Sequence, residues 1–207
     1  MENDIQDIKT RIFNAAVHLF AQRSYGLVGV REIAQEAEVS ISMISYHYGG
    51  KAGIMEAILT RFFEHFKEMF TAAIREDQSF EDNIRGFFAG LVGLIRREPD
   101  LSMVWFTGLS TTIPEVNELK RYHQELMAAD ANALLGKIGL DLQRDIETVS
   151  ILSGAFIHMV FSHFVSSPIL EREDQVTHYD DAFYDRYIEI MTQLCLNGIK
   201  NLYPVIS

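Results

Sequence analysis

An all-helical protein, with a small N-terminal bundle and a larger helical remainder, is the fold class that three observations predict. Apolar residues recur three and four positions apart along most of the chain. Only four prolines fall in 207 residues, at Pro99, Pro114, Pro168 and Pro204, so long stretches are free to run as helix. Alternating β-branched runs, the mark of half-buried strands, are scarce.

The first element is an amphipathic helix whose inward face carries Ile5, Ile8, Ile12, Ala16, Leu19 and Phe20, ending near Arg23. Gly26 and Gly29 punctuate a turn. A short second helix turns Ile33, Ala34 and Ala37 inward and Arg31, Glu32, Gln35 and Glu36 outward. Ser40 is expected to cap a third helix over residues 41–47, its hydroxyl accepting from an orphan backbone N–H. Gly49 and Gly50 stop that helix, since glycine takes the left-handed conformation that closes helices. Three helices, the last two short and closely joined, make a helix-turn-helix pattern.

Beyond Lys51 the periods lengthen. Ile54, Ile58, Phe62, Phe66, Met69 and Phe70 predict a helix to about residue 74. Ser79 and Asp82 resemble a capping box opening a helix that Pro99 stops. A shorter helix follows over residues 101–109. Thr112, Pro114 and Glu115 start a long one to about residue 138, and Asp141 caps the next. A polar connection over residues 166–178 leads to a last helix over residues 180–202. The total is about nine helices, with 1–50 as the helix-turn-helix domain and 51–207 as the larger helical domain.

Charge and composition restrict the function. The net charge is −11, but its distribution is uneven. Residues 1–51 hold five Lys/Arg and six Asp/Glu, and the remainder carries the acidity, so nucleic-acid binding at the N-terminal end is permitted without being advertised. Cys195 is the single cysteine, which excludes an internal disulfide and suits a reducing cytoplasm. No apolar h-region follows Met1, and the most apolar stretch, residues 154–165, is short and broken by His158 and His163, so neither a signal peptide nor a membrane span is expected. His158 and His163 stand five apart, on different helical faces, so a shared metal is not expected. No metalloprotease, phosphate-loop or nucleophile-elbow motif occurs, so neither an enzyme nor a cofactor is expected.

From Ile12 to Ile54 the sequence reads IFNAAVHLFAQRSYGLVGVREIAQEAEVSISMISYHYGGKAGI. Ala15-Ala16, Leu19-Phe20, Gly26, Ile33-Ala34, Val39-Ser40, Tyr46-His47-Tyr48 and Lys51 resemble, in one ungapped register, the N-terminal signature of the TetR family of bacterial repressors. The resemblance implies a homodimer that binds double-stranded operator DNA through the third helix. Its C-terminal domain is then expected to hold a small-molecule effector and the dimer contact. On that reading Ser40, Ile41, Ser42 and Met43 sit at the groove-facing start of the recognition helix, where base edges are read. Ser42 discriminates weakly, whereas Ile41 and Met43 suit thymine methyl groups. Tyr46 and His47 match positions that contact backbone or bases, Lys51 resembles the family's phosphate-binding lysine, and Arg31 reaches for a phosphate or a guanine. Tyr48 reads as a packing aromatic, and Glu32 and Glu36 as a solvated face.

Three departures accompany the match. Val28 and Gly29 stand where members often carry a threonine that caps the second helix, Glu38 replaces a common glycine, and Ser45 stands where many have tyrosine. These keep open an alternative: a binding or scaffolding protein of the same fold with weak or no operator function.

For the effector, Trp105 is the first expected cavity liner, because a buried indole N–H needs a partner. Phe66, Tyr122, Phe156 and His163 follow, and an apolar or aromatic molecule is expected. The last two helices resemble the pair through which the family dimerises. Two-fold symmetry then implies a palindromic operator, with half-sites spaced one helical turn apart.

Overall fold

The computed structural model describes residues 2–107, 114–137, 146–170 and 179–202. Among these, nine α-helices form and no strand does. They are α1 (Glu2–Gln22), α2 (Val30–Glu36), α3 (Ile41–Tyr48), α4 (Lys51–Ala73), α5 (Phe80–Arg97), α6 (Pro99–Thr107), α7 (Pro114–Lys137), α8 (Ile146–Leu170) and α9 (Asp181–Leu202). A one-turn 3₁₀ helix, Tyr25–Leu27, lies between α1 and α2. The expected caps at Thr112 and Asp141 lie outside the described residues.

Local chemistry accounts for most of the ends. Gly49 closes α3 in the left-handed conformation, at φ 69°. Ser79 opens α5: its oxygen accepts from the Asp82 N–H at 3.0 Å while its hydroxyl donates to the Asp82 carboxylate at 2.6 Å. Proline takes the first position of both α6 and α7, where its missing N–H costs nothing. Asp180 caps α9 by accepting from the Phe183 N–H at 2.9 Å.

Two boundaries differ from the sequence reading: α6 runs over Pro99–Thr107 rather than 101–109, and the larger difference is in α8. α8 does not stop near residue 165 but continues through Pro168 to Leu170. A proline there removes the bond that would reach the Phe164 carbonyl, four residues back. The Ser167 hydroxyl donates to that carbonyl instead, at 3.3 Å.

The helices group into two compact units. One comprises Met1–His65 and Glu98–Met127, the other Phe66–Arg97 and Ala128–Ser207. α1 packs on α2, α3 and α6 in the first, around Ile12, Phe20, Ile33, Ile44, Ile58 and Phe62. In the second, α5 packs chiefly on α9 and also on α8, burying Phe88, Leu91, Ile95, Phe161 and Leu196. Gly86 and Gly90 bring α5 close to the end of α4, since a Cβ on Gly90 would lie 2.7 Å from the Met69 side chain. Asn83, fully buried, holds the α4–α5 turn. Its carbonyl accepts from the Arg75 N–H at 2.7 Å, and its amide donates to the Arg75 carbonyl at 3.0 Å.

This packing division differs from a cut at residue 50 because α4 contributes its first half to one unit and its last turns to the other. No helix among the described residues is long and apolar enough to cross a membrane.

Candidate nucleic-acid interface

The N-terminal unit presents α3 on a frame that is held from four directions. The α2–α3 turn is a paired closure: Val39 N–H donates to the Ala34 carbonyl at 2.9 Å and Glu38 N–H to that of Gln35 at 3.1 Å. Such a closure needs a left-handed residue, and here that residue is Glu38, at φ 53°. From α1, Arg11 reaches over the turn and donates to the carbonyls of Ala37 (2.6 Å) and Glu38 (3.0 Å). The acidic side chain that replaces a glycine is therefore strained in backbone but latched by a guanidinium 26 and 27 residues away.

Entry to α2 is solved without a threonine. Gly29 occupies the cap position, and Glu32 accepts from its N–H at 3.4 Å. The same carboxylate takes Arg23 at 2.8 Å, and the Arg23 guanidinium, followed by the Gly29 N–H, lowers the Glu32 pKa. Glu32 is thus a cap as well as a solvated residue. Val28 is a core residue, so no hydroxyl is missing from it.

Lys51 opens α4 and secures the other side. Its ammonium donates to the carbonyls of Tyr25 (2.8 Å) and Val28 (2.9 Å) and lies 4.1 Å over the Tyr25 ring. Burial lowers its pKa. The residue expected to hold phosphate is first a tie between α4 and the 3₁₀ turn. Tyr48 packs as expected: burial pushes its pKa to about 12, and its hydroxyl donates to the Lys9 carbonyl at 2.8 Å.

On this frame the outward face of α3 carries Ile41, Ser42, Ser45 and Tyr46, with Ile41 45% and Tyr46 77% exposed. Ser40 and Arg31 are exposed beside it, while Met43 and His47 are half-buried. Ser40 stands at the cap position, but its hydroxyl pairs with that of Ser42 at 2.8 Å and makes no cap bond. The hydroxyl of Ser42 is the nearer polar partner, and the Met43 N–H takes the Ser40 carbonyl at 3.0 Å instead. The Nε2 of His47 is enclosed, and its ring meets Tyr46 edge-on at 4.9 Å.

Leu27, 72% exposed in the 3₁₀ turn, was not foreseen from sequence. Periodicity does not reach a one-turn element. Three of the five cations in residues 1–51, namely Arg11, Arg23 and Lys51, bond within the frame. The exposed face of α3 is therefore apolar and hydroxylic rather than basic.

Glu38→Gly is expected to raise stability by about 1 kcal/mol. A left-handed non-glycine residue costs about 1–2 kcal/mol, partly offset by the greater unfolded-state freedom of glycine. The 3.5 Å contact from Arg11 to the exposed Glu38 carboxylate contributes little. Urea unfolding checks the prediction: a lowered midpoint would show that the turn is not strained.

The expected effector residues separate. Trp105 is buried in the N-terminal unit, stacked on Phe62 at 4.7 Å and edge-on to Phe63 at 6.3 Å. Tyr122, in the same unit, is 57% exposed, so its ring faces outward rather than into the packed interior. The other three belong to the second unit. Phe66 stacks on Phe70 and Phe156 meets Phe88 edge-on at 5.9 Å. His163 lies among the rings of Tyr179, Phe183, Tyr184 and Tyr187, its Nε2 enclosed and its pKa lowered by burial.

Known proteins resemble this arrangement. The family described as "Bacterial regulatory proteins, tetR family" matches residues 12–58, the span from α1 into α4. A probable HTH-type transcriptional regulator, YttP of Bacillus subtilis (strain 168), is 42% identical over 66 residues, which is 31% of this chain and 32% of that one. The HTH-type transcriptional regulator LuxR of Vibrio harveyi is 23% identical over 181 residues, 86% and 87% of the two chains. A TetR-like regulator from Rhodococcus sp. RHA1 shares the fold, with a TM-score of 0.67, 20% identity and coverage of 93% of this chain and 95% of that one. Residues 12–58, which build the helix-turn-helix frame, thus match the tetR family of bacterial regulatory proteins, and the chain shares its fold with TetR-like regulators.

Proposed function

We propose that the chain is a cytoplasmic, dimeric repressor that binds a palindromic operator and leaves it when a small apolar or aromatic molecule binds the C-terminal domain. The observation that carries the reading is the outward face of α3, where Ile41, Ser42, Ser45 and Tyr46 project from a latched frame. In this reading the DNA-binding domain is residues 1–50. Ile41 and Met43 pack against thymine methyls, Ser42 and Ser40 bond base edges or phosphate, Tyr46 and His47 contact backbone or base edges, Arg31 reaches a phosphate or a guanine, and Lys51 a phosphate. Few charges face the DNA, so the affinity rests on two half-sites engaged together.

Dimerisation is supported by a set of exposed apolar side chains on the last two helices. Ile151, Met159 and Val165 stand out from α8, and Ile190 and Leu194 from α9. Exposed apolar residues on both helices suit a contact surface, and a second copy is the partner the family implies. Control is a population shift: the effector favours the dimer conformation whose recognition helices do not fit successive grooves.

The test is gel retardation of the DNA upstream of the protein's own gene. Replacing both Ile41 and Tyr46 by alanine touches no core residue, so the unfolding midpoint should hold. Binding should fall about tenfold or more, as expected for two lost DNA contacts. Retardation equal to wild type would remove α3 as the recognition element. Absence of any salt-dependent retardation by the wild type would favour the binding or scaffolding reading.

A further inference from the structure

α7 aligns Val116, Lys120 and His123 at spacings of four and three, on one face. That face is turned to α4. The His123 ring stacks on Phe63 at 4.5 Å with 15° between planes, and its Nε2 lies 3.4 Å from the Thr60 hydroxyl. Phe63 in turn meets Trp105 edge-on, and Trp105 stacks on Phe62. A continuous series of rings from α4, α6 and α7 thus meets the α7 face that carries Lys120, all within the N-terminal compact unit.

Lys120 is only 5% exposed, and its Nζ has no hydrogen-bond partner among the described residues. An ammonium taken out of water loses a large solvation energy and is retained inside proteins when an anion or acceptor offsets it. Burial pushes the Lys120 pKa down to about 8, which still leaves most of the side chain charged at neutral pH. Glu56 and Glu64, the carboxylates that act on neighbouring His123, are exposed. The site therefore offers one positive charge, three N–H donors and an aromatic flank. A single compact negative group on an apolar body matches it. A cation does not, and a doubly charged phosphate exceeds what one ammonium neutralises.

We infer that Lys120 anchors the carboxylate of an organic anion whose apolar body lies along the His123–Phe63–Trp105 rings. This rests on the proposed effector function and gives that effector a charge: it is an apolar or aromatic carboxylate rather than a neutral molecule.

The experiment is titration calorimetry of the full-length protein with phenylacetate and with phenethyl alcohol, two probes of one shape that differ in the charged group. The wild type should bind phenylacetate at least tenfold more tightly than the alcohol. Lys120→Met should abolish that preference while the alcohol response stays the same. Equal binding of the two probes by the wild type, no binding of phenylacetate, or a preference that survives in Lys120→Met would each overturn the inference. A measurement that needs no variant accompanies it. The NMR titration midpoint of the Lys120 ε-carbon should rise when phenylacetate is added, and an unchanged midpoint counts equally against the inference. Operator retardation is scored separately without phenylacetate, so failure of the regulator reading and failure of the carboxylate site give different results.

Discussion

Gly53→Ala is expected to destabilise the N-terminal unit by about 3 kcal/mol, at the upper end of ordinary overpacking costs, and to abolish operator retardation. Gly53 sits in the first turn of α4, and a Cβ there would fall on the carbonyl oxygen of Tyr48, the last residue of α3, and 2.9 Å from its carbonyl carbon. Both sides of the clash are backbone, so no side-chain rotation relieves it. Tyr48 is held by its hydroxyl on the Lys9 carbonyl, and the start of α4 is held by Lys51 on Tyr25 and Val28. The chain must yield at Gly49 and Gly50, both at positive φ, and doing so rotates α3. Urea unfolding and gel retardation on the same preparation read the two effects. A wild-type midpoint would mean that α3 and α4 are not in close backbone contact.

The second large effect is expected at Phe62. It is fully buried on α4 and stacks on Trp105 at 4.7 Å with 15° between planes. Phe62→Ala removes a ring and leaves a cavity beside a second ring, for which about 4 kcal/mol is the expected loss. Trp105 is the only tryptophan, so its fluorescence reports this site alone. The denaturant midpoint followed by that signal should fall steeply, with the folded-state emission shifted to the red as water reaches the indole. A variant with both unchanged would show that the stack contributes nothing to stability.

Much of the fold was legible because its signals are local. The face of α1, the glycine stop after α3, the Ser79–Asp82 start of α5, the proline that ends it and the proline opening α7 all act within three or four residues of themselves. The scaffold of the helix-turn-helix was legible for the same reason: Ile33, Ala34 and Ala37 are buried at the positions their spacing assigns.

The residues proposed for the site could be named from sequence, but their contacts could not. Nothing near Arg11 announces that it latches the turn at Glu38. Nothing near Lys51 shows that its ammonium is spent on two carbonyls before any phosphate. Ser40 has the right side chain and dihedrals for a cap, yet its hydroxyl goes to Ser42. Tyr122 and Lys120 are two residues apart on α7, and only the helices that pack there make one exposed and the other buried. Gly53 reads as an ordinary weak point in a helix until the α3 backbone is seen against it.

The all-helical class, the order of helices and the three-helix helix-turn-helix frame were thus determined by the sequence alone, through periodicity, caps and breakers that operate within one or two turns. Tertiary structure alone decided which cations serve the frame and which face outward, how the apolar face of α3 is presented, and that a lysine of α7 is buried. Those outcomes depend on pairings between residues far apart in the chain, whose energies of burial and desolvation no local pattern records.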